Sequence, residues 1–278
     1  MEEVNTIVAP EKAAPQANNS TKRILWVVST AIFAVIFCTG ILLALFNPLH
    51  SKLTKAQARL VFNSNVMGLI FLAIPFLLRK LFRVHISFVL VLSAWAFVLC
   101  HVLGESFLLY ERLAWFDKTL HTTSSVLIFF GYLGIARSFF FSKKYAGEFA
   151  ASLVFAFAAT FATALLWELV EFTIDSLMGT NMQRFVPNEF YNGGNSFSEL
   201  SGTAEEIAAF YASPSGYKYA LMDTMLDCVC CLTGTLFGTA VAIIINRKNP
   251  DFLKKAFWVQ PKASPQCAEI PSCDVSQP

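Results

Sequence analysis

Charge is scarce in this chain. Asp, Glu, Lys and Arg together make up 14% of its 278 residues, against about a quarter in a soluble domain. That shortage excludes an ordinary hydrated surface around one soluble core. A net charge of +2 excludes the strongly basic face that nucleic-acid binding requires, so no nucleic-acid partner is expected. The seven cysteines make no disulfide framework. Cys38, Cys100, Cys228, Cys230 and Cys231 lie in apolar segments and read as small packing residues. Cys228 and Cys231 form a C-x-x-C with no second pair nearby, which places zinc or redox chemistry behind packing. Cys267 and Cys273 fall in a polar tail expected to be cytosolic and reduced. There is no internal repeat and no G-x-S-x-G motif, so serine-hydrolase chemistry has no support.

What the chain does have is apolar length. Hydrophobic residues make up 55% and Phe alone occurs 28 times, with a mean hydropathy of +0.55. Six runs approach or exceed the roughly 20 residues needed to cross a ~30 Å hydrocarbon layer. They cover about 24–46, 60–78, 86–109, 119–141, 149–175 and 221–245. The first has no small-residue cleavage site straight after it and reads as a retained anchor. The expected fold is therefore all-α, a polytopic membrane protein built as a bundle of about six transmembrane helices. Its organisation is a disordered cytoplasmic tail over 1–21, the membrane domain over 22–246 and a second disordered cytoplasmic tail over 247–278. Most connections are short. The exception, 176–220, is a long outer loop in which Thr203 and Glu206 form a capping box before a short amphipathic helix over 204–212.

Basic residues orient the bundle. With six spans, both tails and the second and fourth connections share one side. They carry most of the Lys and Arg, among them Lys22, Arg23, Arg79, Lys80, Arg83, Arg137, Arg247 and Lys248. Both termini are thus expected in the cytoplasm, and the 176–220 loop outside.

Ionisable side chains then gather at the outer ends of four spans: His101, Glu105, Asp117, His121, Glu168, Glu171, Asp175, Asp223 and Asp227. A charge at the centre of a bilayer costs about 2.5–3.5 kcal/mol on insertion scales, so such groups must meet each other, water or a cation. Their spacing supports one shared face per helix. His101/Glu105, Asp117/His121, Glu171/Asp175 and Asp223/Asp227 are i,i+4 pairs, and Glu168/Glu171 is i,i+3. The first two spans carry almost nothing ionisable and read as scaffold. Repulsion between crowded carboxylates is relieved by a divalent cation, a basic partner such as Arg112, Lys118 or Arg184, or bound protons. Mixed His and carboxylate ligands suit zinc, manganese or iron; carboxylates alone suit magnesium or calcium. The metal candidates are His121, Glu168, Glu171, Asp223 and Asp227, and the catalytic candidates are Glu168, Glu171, Asp227 and His121. Glu105, Asp175, His101 and Asp117 are outer members. Blander readings stand beside these: Asp117 and Asp223 as helix caps, Asp175 and Glu105 as solvated interface groups, and the deeper acids as a structural hydrogen-bond network.

Four segments in order carry a family resemblance. Phe116-Asp117-Lys118-Thr119-Leu120-His121 opens one helix, and Trp167-Glu168-Leu169-Val170-Glu171-Phe172 with Asp175 closes the next. Asn181-Met182-Gln183 follows, and Asp223-Thr224-Met225-Leu226-Asp227 with Gly234 opens the last. Over about 110–240 the chain resembles bacterial multi-pass inner-membrane proteins of the YjdF type and, more distantly, is similar to VanZ-like proteins. It departs from that pattern at Cys231, where Asn is expected. The resemblance implies a cell-membrane protein, carries no established activity, and hints at the cell envelope. The expected function is an acidic/His site near the extracytoplasmic leaflet, suited to binding a divalent cation and to acting on a lipid or envelope precursor. Whether the chain is an enzyme stays open. The alternatives are a proton- or ion-coupled transporter and a non-catalytic assembly subunit. Membrane lipid is the expected partner, with an envelope substrate or a protein partner at the 176–220 loop.

Overall fold

A computed structural model of the chain describes residues 19–46, 55–113, 115–140, 147–178, 182–183, 203–213, 216 and 219–261. Residues 1–18 and 262–278 of the expected tails, with Cys267 and Cys273, as well as Arg184 and most of the 176–220 loop, lie outside the described residues; residues 19–21, expected in the first tail, already belong to a helix.

Six helices are long and apolar enough to cross a membrane. Helices suit that solvent because every backbone polar group is bonded within the segment. They are α1 (Asn19–Phe46), α2 (Lys55–Leu81), α3 (Phe88–Ser106), α5 (Phe116–Ile135), α6 (Glu148–Met178) and α8 (Tyr219–Lys248). Between α3 and α5 lies a single turn, α4 (Leu109–Arg112), entered through Leu108 at φ 55°. At its far end α5 runs on as a π-helical segment, Ala136–Phe140. The short helix of the 176–220 loop appears where the capping box put it. In α7 (Ala204–Ala212), Thr203 Oγ1 accepts from the Glu206 N–H and the Glu206 carboxylate accepts from the Thr203 N–H.

The chain beyond 247 corrects the expected tail. Residues α9 (Pro250–Ala256) form a helix that Asn249 caps and Pro250 opens, matching the preference for Pro in a first turn. A strand β2 (Val259–Pro261) then pairs antiparallel with β1 (Val84–Ile86), in the register Val84↔Pro261, His85↔Gln260 and Ile86↔Val259. The Ser87 N–H extends this clasp by donating to the Trp258 carbonyl at 2.9 Å. Ser87 Oγ meanwhile accepts from the Leu90 N–H at the start of α3. The element was concealed because its apolar stretches, Phe252-Leu253 and Ala256 to Val259, are far too short for a span, yet Leu253, Ala256 and Val259 are buried in the fold.

Two apolar cores organise the bundle. Phe33, Phe37, Leu72, Val91, Trp95 and Val102 join α1, α2 and α3. Phe129, Phe130, Leu133, Ala156, Ala242 and Leu253 join α5, α6, α8 and α9. Helix α3 packs against α5 and connects the two halves. Outward faces stay apolar, as in Val35, Leu169 and Phe237, which is what a hydrocarbon solvent requires. Cys38 and Cys100 are exposed on those faces rather than packed, whereas Cys231 is buried.

Helices α5 and α8 form the closest pair. Gly234 permits this: a Cβ there would run into the Thr122 carbonyl and lie 3.1 Å from Ser125 Cβ. The G-x-x-x-G of Gly234 and Gly238 thus serves packing within the chain, since Gly238 faces the Phe129 ring. Tight approach at this level brings the polar ends of α5 and α8 together.

Candidate functional site

Helix α5 begins at Phe116, three residues before the apolar run starts. Asp117 and Lys118 therefore sit in its first turn instead of preceding it, with His121 in the helix as expected. Lys118 lies at the centre of what they build. Its ammonium donates to Asp117 Oδ2 at 3.1 Å, to Asp223 Oδ1 at 2.5 Å and to both Asp227 carboxylate oxygens at 2.8 Å. Asp227 is 1% exposed, so this pairing holds a carboxylate far from water. Removing one partner from such a buried pair costs about 3–5 kcal/mol.

His121 lies beside the lysine and divides its two ring nitrogens between two sets of neighbours. Nε2 is 3.6 Å from Asp117 Oδ1 and 3.6 Å from Asp227 Oδ1. Nδ1 is 4.0 Å from Glu168 Oε1 and 3.7 Å from Cys231 Sγ. The aspartate contacts are longer than hydrogen bonds, which leaves space between those three side chains. Asp117, His121 and Asp227 each offer one ligand atom, and these atoms lie within 4.8 Å of one another.

Glu168 and Glu171 reach this region from the end of α6, and both are buried. Glu168 Oε2 has no hydrogen-bond partner among the described residues. Glu171 Oε1 accepts from Trp167 Nε1 at 2.7 Å and lies within electrostatic reach of Glu168, His121 and Asp117. The donor lies one turn away on the same helix.

The remaining sequence candidates take other places. Asp175 accepts from the backbone N–H groups of Met182 and Gln183, both at 2.8 Å. Gln183 in turn donates to Thr224 Oγ1 at 3.1 Å, tying the chain after α6 to α8. Asp175 is therefore a loop anchor and not a solvated interface group. His101 Nδ1 lies 2.5 Å from Tyr110 Oη and its ring meets Tyr110 edge to face. Glu105 is half-buried at the end of α3. Asp117 and Asp223, for which capping was an open reading, both join the Lys118 network.

Against the metal set expected from sequence, the compact group keeps His121 and Asp227 and adds Asp117. Asp223 is turned to Lys118, Glu171 to Trp167, and Glu168 to the far nitrogen of His121. Sequence reasoning assigned Cys231 to packing alone and missed its place beside His121. The available signal was its i,i+4 spacing from Asp227, which puts both on the α8 face toward α5. The donor set fits a transition metal: one imidazole and two carboxylates suit zinc, manganese or iron. Bond lengths of about 2.1 Å place ligand atoms roughly 3.4 Å apart around a tetrahedral ion. Closing the group onto one therefore needs shifts of roughly 1 Å.

A family model described as "Predicted membrane protein (DUF2238)" matches residues 24–248, from the first span to the end of the last. No curated protein and no solved structure matches the chain.

Proposed function

This chain belongs to the DUF2238 family of predicted membrane proteins, and on that premise we propose that Asp117, His121 and Asp227 form a divalent-cation centre at one end of its helix bundle. The division of the His121 ring carries this reading. Nε2 faces the two aspartates while Nδ1 faces Glu168, the carboxylate–histidine–metal order in which a second carboxylate fixes the tautomer of a ligating imidazole. Lys118 offsets the charge of Asp117, Asp223 and Asp227.

The reaction class we infer is hydrolysis or group transfer on a lipid or envelope precursor. A bound divalent cation supplies Lewis-acid polarisation of a substrate oxygen. Glu168, buried with Oε2 unpartnered, is the group placed to take up a proton as general base. Lys118 holds Asp227 in place through both carboxylate oxygens, and Trp167 orients Glu171. The basic residues at the opposite ends of the spans support a cytoplasmic location for both termini, which puts the centre in the outer leaflet. The finer likeness to the YjdF type and to VanZ-like proteins points the same way, toward the envelope, with the 176–220 loop as the surface for a substrate or partner.

Transport finds less support. Ser152, Thr160, Thr163 and Thr235, deeper in the same half of the bundle, each donate to a carbonyl one turn back in their own helix. With Thr163 also meeting Tyr132 Oη at 2.8 Å, these hydroxyls form no relay of ionisable groups among the described residues.

Elemental analysis of detergent-purified protein tests the proposal, with His121→Ala and Glu168→Gln alongside. The wild type should hold about one equivalent of zinc, manganese or iron. His121→Ala should lose it, and Glu168→Gln should weaken affinity by roughly 10–100-fold. Metal-free wild type after supplementation, or equal content in His121→Ala, would overturn the assignment.

A further inference from the structure

At the other end of the bundle, away from the acidic cluster, α2 finishes in a cleft of about 340 Å³ lined by Phe76, Arg79, Lys80 and Arg83. We propose that this cleft is a binding site for the phosphate headgroup of an anionic phospholipid. The inference does not depend on the metal centre.

Spacing makes the cleft basic. Positions 76, 79, 80 and 83 recur at intervals of three and four, so one side of the last turns of α2 presents an aromatic ring followed by three cations. Cations near a helix C-terminus favour its dipole, and basic residues at a span end help to orient the span. Those two effects account for charge at this level but not for how the charge is held. All three are exposed, and none makes an ion pair among the described residues. Arg83, moreover, has φ 53°, a left-handed conformation in which Gly is unstrained and a larger residue is not. An arginine at that turn is backbone-strained, and the turn puts its side chain in the same cleft as Arg79 and Lys80.

The surroundings identify the source of the phosphate. Leu77, Leu81 and Phe82 are exposed beside the cations, the last two by 67% and 68%, and Phe76 is part of the cleft wall. A free phosphate has no use for that apolar margin. A phospholipid uses both parts, its headgroup against the guanidinium and ammonium groups and its chains along the apolar flank. Each basic residue near an anionic surface contributes about fivefold to attraction, so the three together contribute on the order of a hundredfold.

Native mass spectrometry of the full chain released from detergent tests this, with phosphatidylglycerol, phosphatidylcholine and inorganic phosphate as probes. The wild type should retain phosphatidylglycerol in preference to phosphatidylcholine, and millimolar inorganic phosphate should not displace it. The double variant Arg79→Gln/Lys80→Gln leaves the turn intact and should reduce retention at least tenfold. Arg83→Gly separates binding from folding: glycine relieves the backbone, so the melting temperature should hold or rise while retention falls about fivefold. Undiminished retention in either variant, or equal retention of phosphatidylcholine, overturns the site. Displacement by inorganic phosphate overturns the lipid as its occupant. Metal content should be unchanged in all of these variants, so failure here is distinguishable from failure of the cation centre.

Discussion

Adding one methyl group at Gly234 tests whether the approach of α5 to α8 sets the site geometry. A Cβ at Gly234 would collide with the Thr122 carbonyl, which is helix backbone and cannot swing aside, and would press on Ser125 Cβ at 3.1 Å. Ordinary contact between such atoms lies near 3.5 Å, so the helices must part by roughly 1 Å at that level. Overpacking of this kind costs about 1–3 kcal/mol, offset by up to about 1 kcal/mol for replacing a helical glycine with alanine. Gly234→Ala should therefore lose about 1–2 kcal/mol. Two neighbours calibrate it. At Gly238 the nearest atoms belong to the Phe129 ring at 3.0 Å, a side chain with some room to adjust, and the change should be close to neutral. At Gly131 the nearest atom is Leu90 Cδ1 at 3.9 Å, so alanine should stabilise by about 0.5–1 kcal/mol. Denaturant unfolding of the purified proteins in one detergent gives the order directly. His121 adjoins Thr122, so Gly234→Ala should also lower metal content while Gly131→Ala leaves it alone. Equal stability of the Gly234 and Gly131 variants would refute the reasoning.

Three further outcomes follow from the same geometry. Asp227→Ala should destabilise by about 3–5 kcal/mol, and Asp223→Ala by less, because Asp227 holds Lys118 with two oxygens and Asp223 with one; a reversed ranking in unfolding experiments would contradict the network. Asp175→Asn replaces charge-assisted bonds to the Met182 and Gln183 amides with neutral ones of about half the strength. Hydrogen exchange at those two amides should accelerate while the α6 interior stays protected. Lys118→Met removes the internal cation that shares Asp117 and Asp227 with the proposed ion; measured by titration, divalent-cation affinity should rise by tenfold or more, and a fall would mean that the lysine does not compete for those oxygens.

The six spans were legible because length and hydropathy suffice for a membrane helix. Their ends were less so. Asp117 and Lys118 are charged, so hydropathy placed the start of α5 at 119, whereas the helix begins at Phe116. Lys118 was among the basic partners the sequence offered, but that small error left its direction open, because a lysine before a helix has no fixed direction and one in its first turn does. Helical spacing correctly paired Asp117 with His121 and Asp223 with Asp227. It gives no information on which face of α5 meets which face of α8, and so could not assign Lys118 to Asp223 and Asp227, more than a hundred residues away. The ordering of 250–261 escaped for a related reason: its anchors bury against α3 and α5, contacts that no local pattern encodes.

Lys118 also limits what the cluster can be. One ammonium and one imidazole stand among Asp117, Asp223, Asp227, Glu168 and Glu171, and the cluster is largely buried. A purely structural network approaches charge balance, since an uncompensated buried carboxylate is costly. Here the lysine satisfies the aspartates on one side, and the acids toward His121 and α6 have no second cation among the described residues. Glu168 Oε2, without a hydrogen-bond partner among the described residues, marks that deficit at a single atom. Positive charge is therefore favoured on the histidine side of the pocket, where the three candidate ligand atoms converge. Protons could supply it one at a time, but the cluster would then need no shared focus. The convergence of Asp117, His121 Nε2 and Asp227 on one small volume is what a single multivalent cation exploits and separate protons do not.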